Sequence, residues 1–164
     1  MVSFLSFSGT VTAINDFPIG QNAGSEGCYT LFTVDNGYGN IVNFVVSPTT
    51  YFVEHAMVSV GDRVTGFYDA NAPVPLIYPP QYRALVMAKD HSYQNVKVDY
   101  FNRQLVSSDG MLQLNLAPNT PIVLQNGQAF RGNPANRNLI VVYGATTRSI
   151  PAQTTPYQIV VLCP

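Results

Sequence analysis

The chain has 164 residues, of which 46% are apolar, yet only about a tenth are charged: eight basic and nine acidic side chains give a formal charge of -1. An average soluble protein carries roughly a quarter charged residues, so here Asn, Gln, Ser, Thr and Tyr must cover the surface, and weak mutual repulsion favours self-association into a homo-oligomer or polymer. Eight scattered cations are a poor footprint for a phosphate backbone, which argues against nucleic acid as a partner, and no apolar run reaches the length of a membrane span.

Residues 2–8 (VSFLSFS) and 10–14 (TVTAI) alternate apolar and polar side chains on either side of Gly9. This pattern predicts one long strand with a bend or bulge at the glycine. Residues 1–8 lack the basic start and long apolar core of a signal peptide, so the expectation is synthesis for the cytoplasm, or a start behind a removed signal. Residues 16–27, with Pro18 and three glycines, read as a loop. Residues 28–35 and 40–46 are rich in β-branched and aromatic types, and Asn36-Gly37 followed by Gly39 between them is a hairpin signal. Pro48 ends this meander, and residues 49–57 predict a short strand or a single helical turn. Val60-Gly61-Asp62 turns the chain into a strand over 63–69; residues 70–81 hold four prolines and read as a long exposed loop; a fifth strand follows over 82–89. Five strands with a turn before the fourth are the parts of a small Greek-key barrel of the OB kind.

The second half repeats the first. Residues 39–54 lie over 109–124 at an offset of 70, with Ser47-Pro48 on Ala117-Pro118, while 63–69 lie over 138–144 and 82–88 over 157–163 at an offset of 75. A fixed period predicts two copies of one supersecondary unit, with a first unit over 1–90 and a shorter second unit over 91–164. Strands are expected over 96–101, 103–106, 111–116, 122–124, 138–143 and 157–163, and no amphipathic stretch carries helix caps and stops. The predicted fold is therefore all-β, two tandem similar OB-like barrels packed together, with little or no helix. Only residues 90–99 remain to stand in for the first strand of unit one, so the second unit is expected to be short of strand, with an edge that something must cover.

Chemistry-bearing patterns are sparse. His55 and His91 have no metal-ligand or triad spacing, Asp62, Asp69 and Asp90 lack the alternation of a calcium loop, and nucleophile elbows, phosphate-binding glycine loops and paired cysteines are missing. No catalytic residue, metal or cofactor is expected. Cys28 and Cys163 read either as two buried thiols or, in an oxidising setting, as a bridge within or between subunits. The proline loop over 70–81 and its counterpart over 145–156 stand out, because proline stiffens a long loop and tyrosine suits contact with a sugar or a protein. The candidate loop contacts are Tyr68, Tyr78, Tyr82, Tyr143 and Tyr157, with Tyr68 and Tyr143 better suited to packing than to ligand contact.

The run from Val60 through Ala88 (VGDRVTGFYDANAPVPLIYPPQYRALVMA) resembles segments in small β-domain proteins of clostridia and related spore-forming bacteria, and residues 146–156 (TTRSIPAQTTP) look like the companion segment of the second repeat there. The resemblance carries no assigned activity or site residue; it implies a bacterial origin and a cell-surface or spore setting. The leading expectation is a non-enzymatic structural protein assembling through strand edges into a spore-associated layer or surface filament. Its candidate assembly residues are Val2, Phe4, Leu5 and Phe7, with Cys28 or Cys163 locking contacts. The alternative is a module binding an oligosaccharide or a protein partner through the Pro/Tyr loops.

Overall fold

The computed structural model describes residues 2–18 and 24–164. It is all-β, with a single 3₁₀ turn, Val53–His55, among the described residues. The chain divides into two compact units, Met1–Asp90 and His91–Pro164.

The first unit holds β1 (Phe4–Asp16), β2 (Thr30–Asp35), β3 (Ile41–Val46), β4 (Tyr51–Phe52), β5 (Arg63–Asp69), β6 (Gln81–Arg83) and β7 (Val86–Lys89), in the sheet order β4-β7-β5-β1-β2-β3-β6. β1 is long because it serves two neighbours: residues 4–10 run antiparallel to β5, and from Thr10 onward the strand runs antiparallel to β2. Gly9 sits at the changeover, where a Cβ would lie 2.4 Å from the Asp35 carbonyl oxygen, so only glycine lets β2 approach. Of the bend or bulge expected at Gly9, the bulge lies at Thr12, since the register passes from Val11 opposite Val34 to Ala13 opposite Thr33. The extra residue places both Val11 and Ile14 in the core beside Val34 and Phe32. In the β2–β3 hairpin Gly37 and Gly39 have φ of 83° and 91°, and Asn36 Oδ1 accepts the N–H groups of Tyr38 and Asn40. Residues 49–57 supply both predicted alternatives, strand β4 and then the 3₁₀ turn.

Residues 81–89 change partner midway. β6 lies parallel to β3, then the Ala84 N–H donates to Val45 and the Leu85 N–H to Phe67, after which β7 runs antiparallel to β5. The core these strands enclose includes Val11, Phe44, Val64 and Met87, each essentially inaccessible to solvent.

The second unit holds β8 (Asn95–Phe101), β9 (Leu112–Leu114), β10 (Ile122–Leu124), β11 (Arg137–Tyr143), β12 (Ala152–Thr154) and β13 (Gln158–Leu162). Its pairings copy those of the first: β8 and β13 flank β11 antiparallel, β10 is parallel to β13 as β4 is to β7, and β9 is parallel to β12 as β3 is to β6. The offset of 70 recurs at the level of single hydrogen bonds. Ser47 N–H donates to Thr50 Oγ1 and Thr50 N–H to the Ser47 carbonyl; Ala117 and Thr120 do the same.

Two details of the alignment are corrected. The last strand repeats at 72, not 75, because Tyr157 N–H donates to Val142 as Leu85 N–H donates to Phe67, so the loop before it is three residues shorter in the second unit. A first strand is also present there: β8 pairs with β11 as residues 5–11 flank β5, placing the buried Phe101 where Val11 stands. What unit two lacks is the extended hairpin arm formed by the end of β1 with β2. The strand expected over 103–106 is instead a tight turn, closed by Asn102 N–H to Val106 and Leu105 N–H to Asn102.

Asp109 holds the turn into β9. Its Oδ1 accepts the Ser107 hydroxyl at 2.6 Å and the Met111 N–H at 3.0 Å, and its Oδ2 accepts Lys97 Nζ at 2.6 Å. Burial pushes its carboxyl pKa up, but the hydrogen bonds from Lys97, Ser107 and Met111 outweigh that and hold it below the ordinary carboxylate range. A lowered folded pKa stabilises the fold above the unfolded value of about 3.9, and the contribution is lost as pH falls through the folded value. Since the carboxylate is nearly half exposed, Asp109→Asn should cost only about 1 kcal/mol at pH 7. In thermal melts the gap between variant and wild type should narrow as pH falls below the unfolded value of about 3.9 and vanish once pH has passed through the lowered folded value.

Candidate functional site

The proline loop, strands β3, β5 and β6, and Val2 and Phe17 on either side of β1 shape a pocket of about 650 Å³ in the first unit. Its floor is aromatic. Tyr68 near the end of β5 and Tyr82 in the middle of β6 stack with centroids 3.9 Å apart and planes within 9°, and Phe44 lies beneath both at 6.2 and 6.5 Å. The stack exists because residue 68 lies one residue before the end of β5, residue 82 sits on the segment that crosses to β3, and each turns inward onto the core. Burial raises the pKa of the Tyr68 hydroxyl, and the Tyr82 hydroxyl beside it adds to the effect, so Tyr68 stays a neutral donor and acceptor.

The lining also takes in the loop itself, Ala72, Pro73, Val74 and Pro75, together with Phe17 and Tyr29. These two residues bracket the loop after β1, pinned by a 2.9 Å bond from Phe17 N–H to the Tyr29 carbonyl. Polar groups are few and distinct: Asp69, Gln81 and Arg83. Asp69 Oδ1 accepts the N–H groups of Asn71 at 2.9 Å and Ser3 at 3.1 Å, and these bonds, Asn71 first, lower its pKa and keep it ionised. Arg83 is exposed, and none of the ion pairs among the described residues uses it. A rigid aromatic surface edged by an acceptor, an amide and a fork of donors can stack a ring and hydrogen-bond its hydroxyls.

The structure divides the sequence-derived candidates. Tyr68 and Tyr82 meet in the pocket, and Tyr68 proves to line the site as well as to pack on the core. Tyr78 is 77% exposed at the tip of the loop, beside Leu76, which is fully exposed, and Ile77. Tyr143 packs against the core of the second unit, its hydroxyl pKa raised by burial. Tyr157 matches Leu85 rather than Tyr82 once the offset is corrected, and its hydroxyl rests on Gly144, where a Cβ would be 2.1 Å away. The residue that does match Tyr82 is Thr154, whose hydroxyl donates to the Ala145 carbonyl. The second unit thus has no tyrosine pair at the equivalent positions; its stacked aromatic pair, His91 with Tyr93, lies elsewhere.

Of the assembly candidates, Val2 lines the pocket, Phe7 packs on the core, and Phe4 and the half-exposed Leu5 lie in the part of β1 paired with β5. Cys28 and Cys163 are free and exposed, which overturns their reading as buried thiols: Cys28 lies in the loop before β2 and Cys163 beyond the end of β13. Phe17, Tyr29, Arg83 and Leu85 were missed in the sequence. The available signal was their position at the feet of the two longest loops of the unit.

Among the described residues no group of three or more His, Cys, Asp or Glu is placed to hold a metal, and no helix is long and apolar enough to cross a membrane. Comparison with protein-family models, with curated proteins and with solved structures finds no match to this chain.

Proposed function

We propose that each unit is a small OB-like barrel and that the first is a non-catalytic binding module for an oligosaccharide, held in the pocket over Tyr68 and Tyr82. The barrel reading is supported by residues 81–89, one continuous segment that pairs with β3 at its start and β5 at its end, as OB-type topology requires. The stacked tyrosine pair beside Asp69, Gln81 and Arg83 carries the functional reading. A sugar offers an apolar ring face for the aromatic surface and hydroxyls for the three polar side chains, and a near-neutral ligand matches a chain of charge -1 better than a polyanion would. In the bacterial surface or spore setting that the sequence resemblance implies, wall and coat glycans are the ligands at hand.

The test is a glycan array followed by calorimetry on the hits. Tyr82→Ala should weaken binding at least tenfold, about 1.4 kcal/mol, whereas Tyr157→Ala, in the unit without the pair, should leave it unchanged. A blank array, or hits indifferent to Tyr82→Ala, sinks the proposal.

A further inference from the structure

β1 offers an unguarded edge. Along residues 3–11 the backbone groups that face β5 belong to odd positions: Ser3 accepts from Ala70 N–H, and Val11 donates to Asp62 and accepts from Gly61 N–H. In an antiparallel ladder the intervening residues point the other way. On that side β2 begins to pair only at Thr10, so the N–H and C=O groups of Phe4, Ser6 and Ser8 face outward with no strand alongside among the described residues.

Natural edges of this kind are blunted by charge, proline or a bulge. Here neither a charged residue nor a proline occurs between Val2 and Asn15, and the bulge at Thr12 lies beyond the open stretch. The equivalent strand of the second unit is defended. β8 ends the four-stranded order but carries Lys97 and Asp99; on its outward side Tyr100 donates its N–H to Asp99 Oδ1, and its carbonyl accepts from Ser108 N–H.

We infer that the occupant of the β1 edge is the same edge of a second copy, joined antiparallel about a two-fold axis through Ser6. In that register Phe4 faces Ser8 of the other copy and Ser6 faces its own mate, so the three outward residues exchange six N–H to C=O bonds. Leu5, 51% exposed in the single chain, comes opposite Phe7 of the other copy, an apolar cross-strand pair, and no like charges oppose one another. An isologous contact of this kind closes on itself. The product is a dimer with one continuous sheet, not a filament.

Sedimentation of the full chain over a wide concentration range should show the mass rising from 17.9 kDa toward twice that value. Ser6→Pro removes the outward N–H at the axis without touching the bonds to β5 and should hold the protein at monomer mass, while Ser6→Ala dimerises like wild type. Hydrogen exchange on the wild type needs no variant: the amides of Phe4, Ser6 and Ser8 should be slowed at least tenfold in concentrated relative to dilute protein. A chain that stays monomeric at millimolar concentration overturns the inference, as does a Ser6→Pro dimer or a dimer whose even-numbered β1 amides exchange freely.

Discussion

Gly66→Val is expected to destabilise the first unit by about 3 kcal/mol, and adding Phe44→Leu to recover most of that loss. Gly66 lies in β5 directly under the Phe44 ring, and a Cβ there would come within 2.6 Å of Phe44 Cζ. Phe44 is wholly buried and walled by Tyr68 and Tyr82, so the ring cannot move aside without disturbing the floor of the pocket. The second unit uses the opposite pair of sizes. At the matching positions, 70 and 75 residues on, stand Leu114 and Val141, both buried in its core. One large ring over a glycine in one copy and two mid-sized aliphatics in the other fill a similar volume, which is how cores tolerate substitution. The single variants should therefore be strongly non-additive in a double-mutant cycle, read by thermal or urea unfolding. A Gly66→Val protein as stable as wild type would show that Phe44 is free to shift. The same cycle bears on the proposed function, since a displaced Phe44 should unseat the tyrosine stack and weaken the proposed glycan binding.

The parts of this fold written in local chemistry were legible in the sequence. The Asn36-Gly37 turn, the all-β character and the offset of 70 rest on turn residues and on Ser47-Pro48 facing Ala117-Pro118. Register in the last strand was not legible. Residues 82–88 and 157–163 look alike as apolar runs, yet apolarity does not fix alignment along a strand buried on both faces; Val86, Met87 and Ala88 are all buried, as are Ile159, Val160 and Val161. β12 was hidden for the converse reason: Ala152-Gln153-Thr154 has no strand-like pattern and exists only because β9 lies beside it. The site was half legible. Proline stiffening and tyrosine content marked the loop, but Phe17, Tyr29 and Arg83 come from segments that only the strand pairing brings together. Tyr157 was misassigned as the partner of Tyr82 by the same three-residue error in the loop.

Phe101→Ala should have the larger effect on the second unit, a loss of about 3 to 5 kcal/mol. Phe101 ends β8 at the position Val11 holds in the first unit, and it is completely buried among Leu112, Leu114, Leu139 and Ile159. In the first unit β1 runs on past Val11 into a second pairing with β2, which brings Ile14 and Phe32 to the core. In the second unit the chain turns back at once through residues 102–106, so one ring takes up space that a hairpin arm fills in the other copy. Removing it leaves a cavity beside a turn with little further chain to collapse into it, the circumstance in which large-to-small substitutions cost most. Hydrogen exchange should show lost protection in β8, β11 and β13. Protection of β2 and β3, whose packing depends on Phe32 and Phe44, should be kept, and the proposed glycan binding with it. Equal loss in both sets of strands would mean that the two units unfold as one cooperative body.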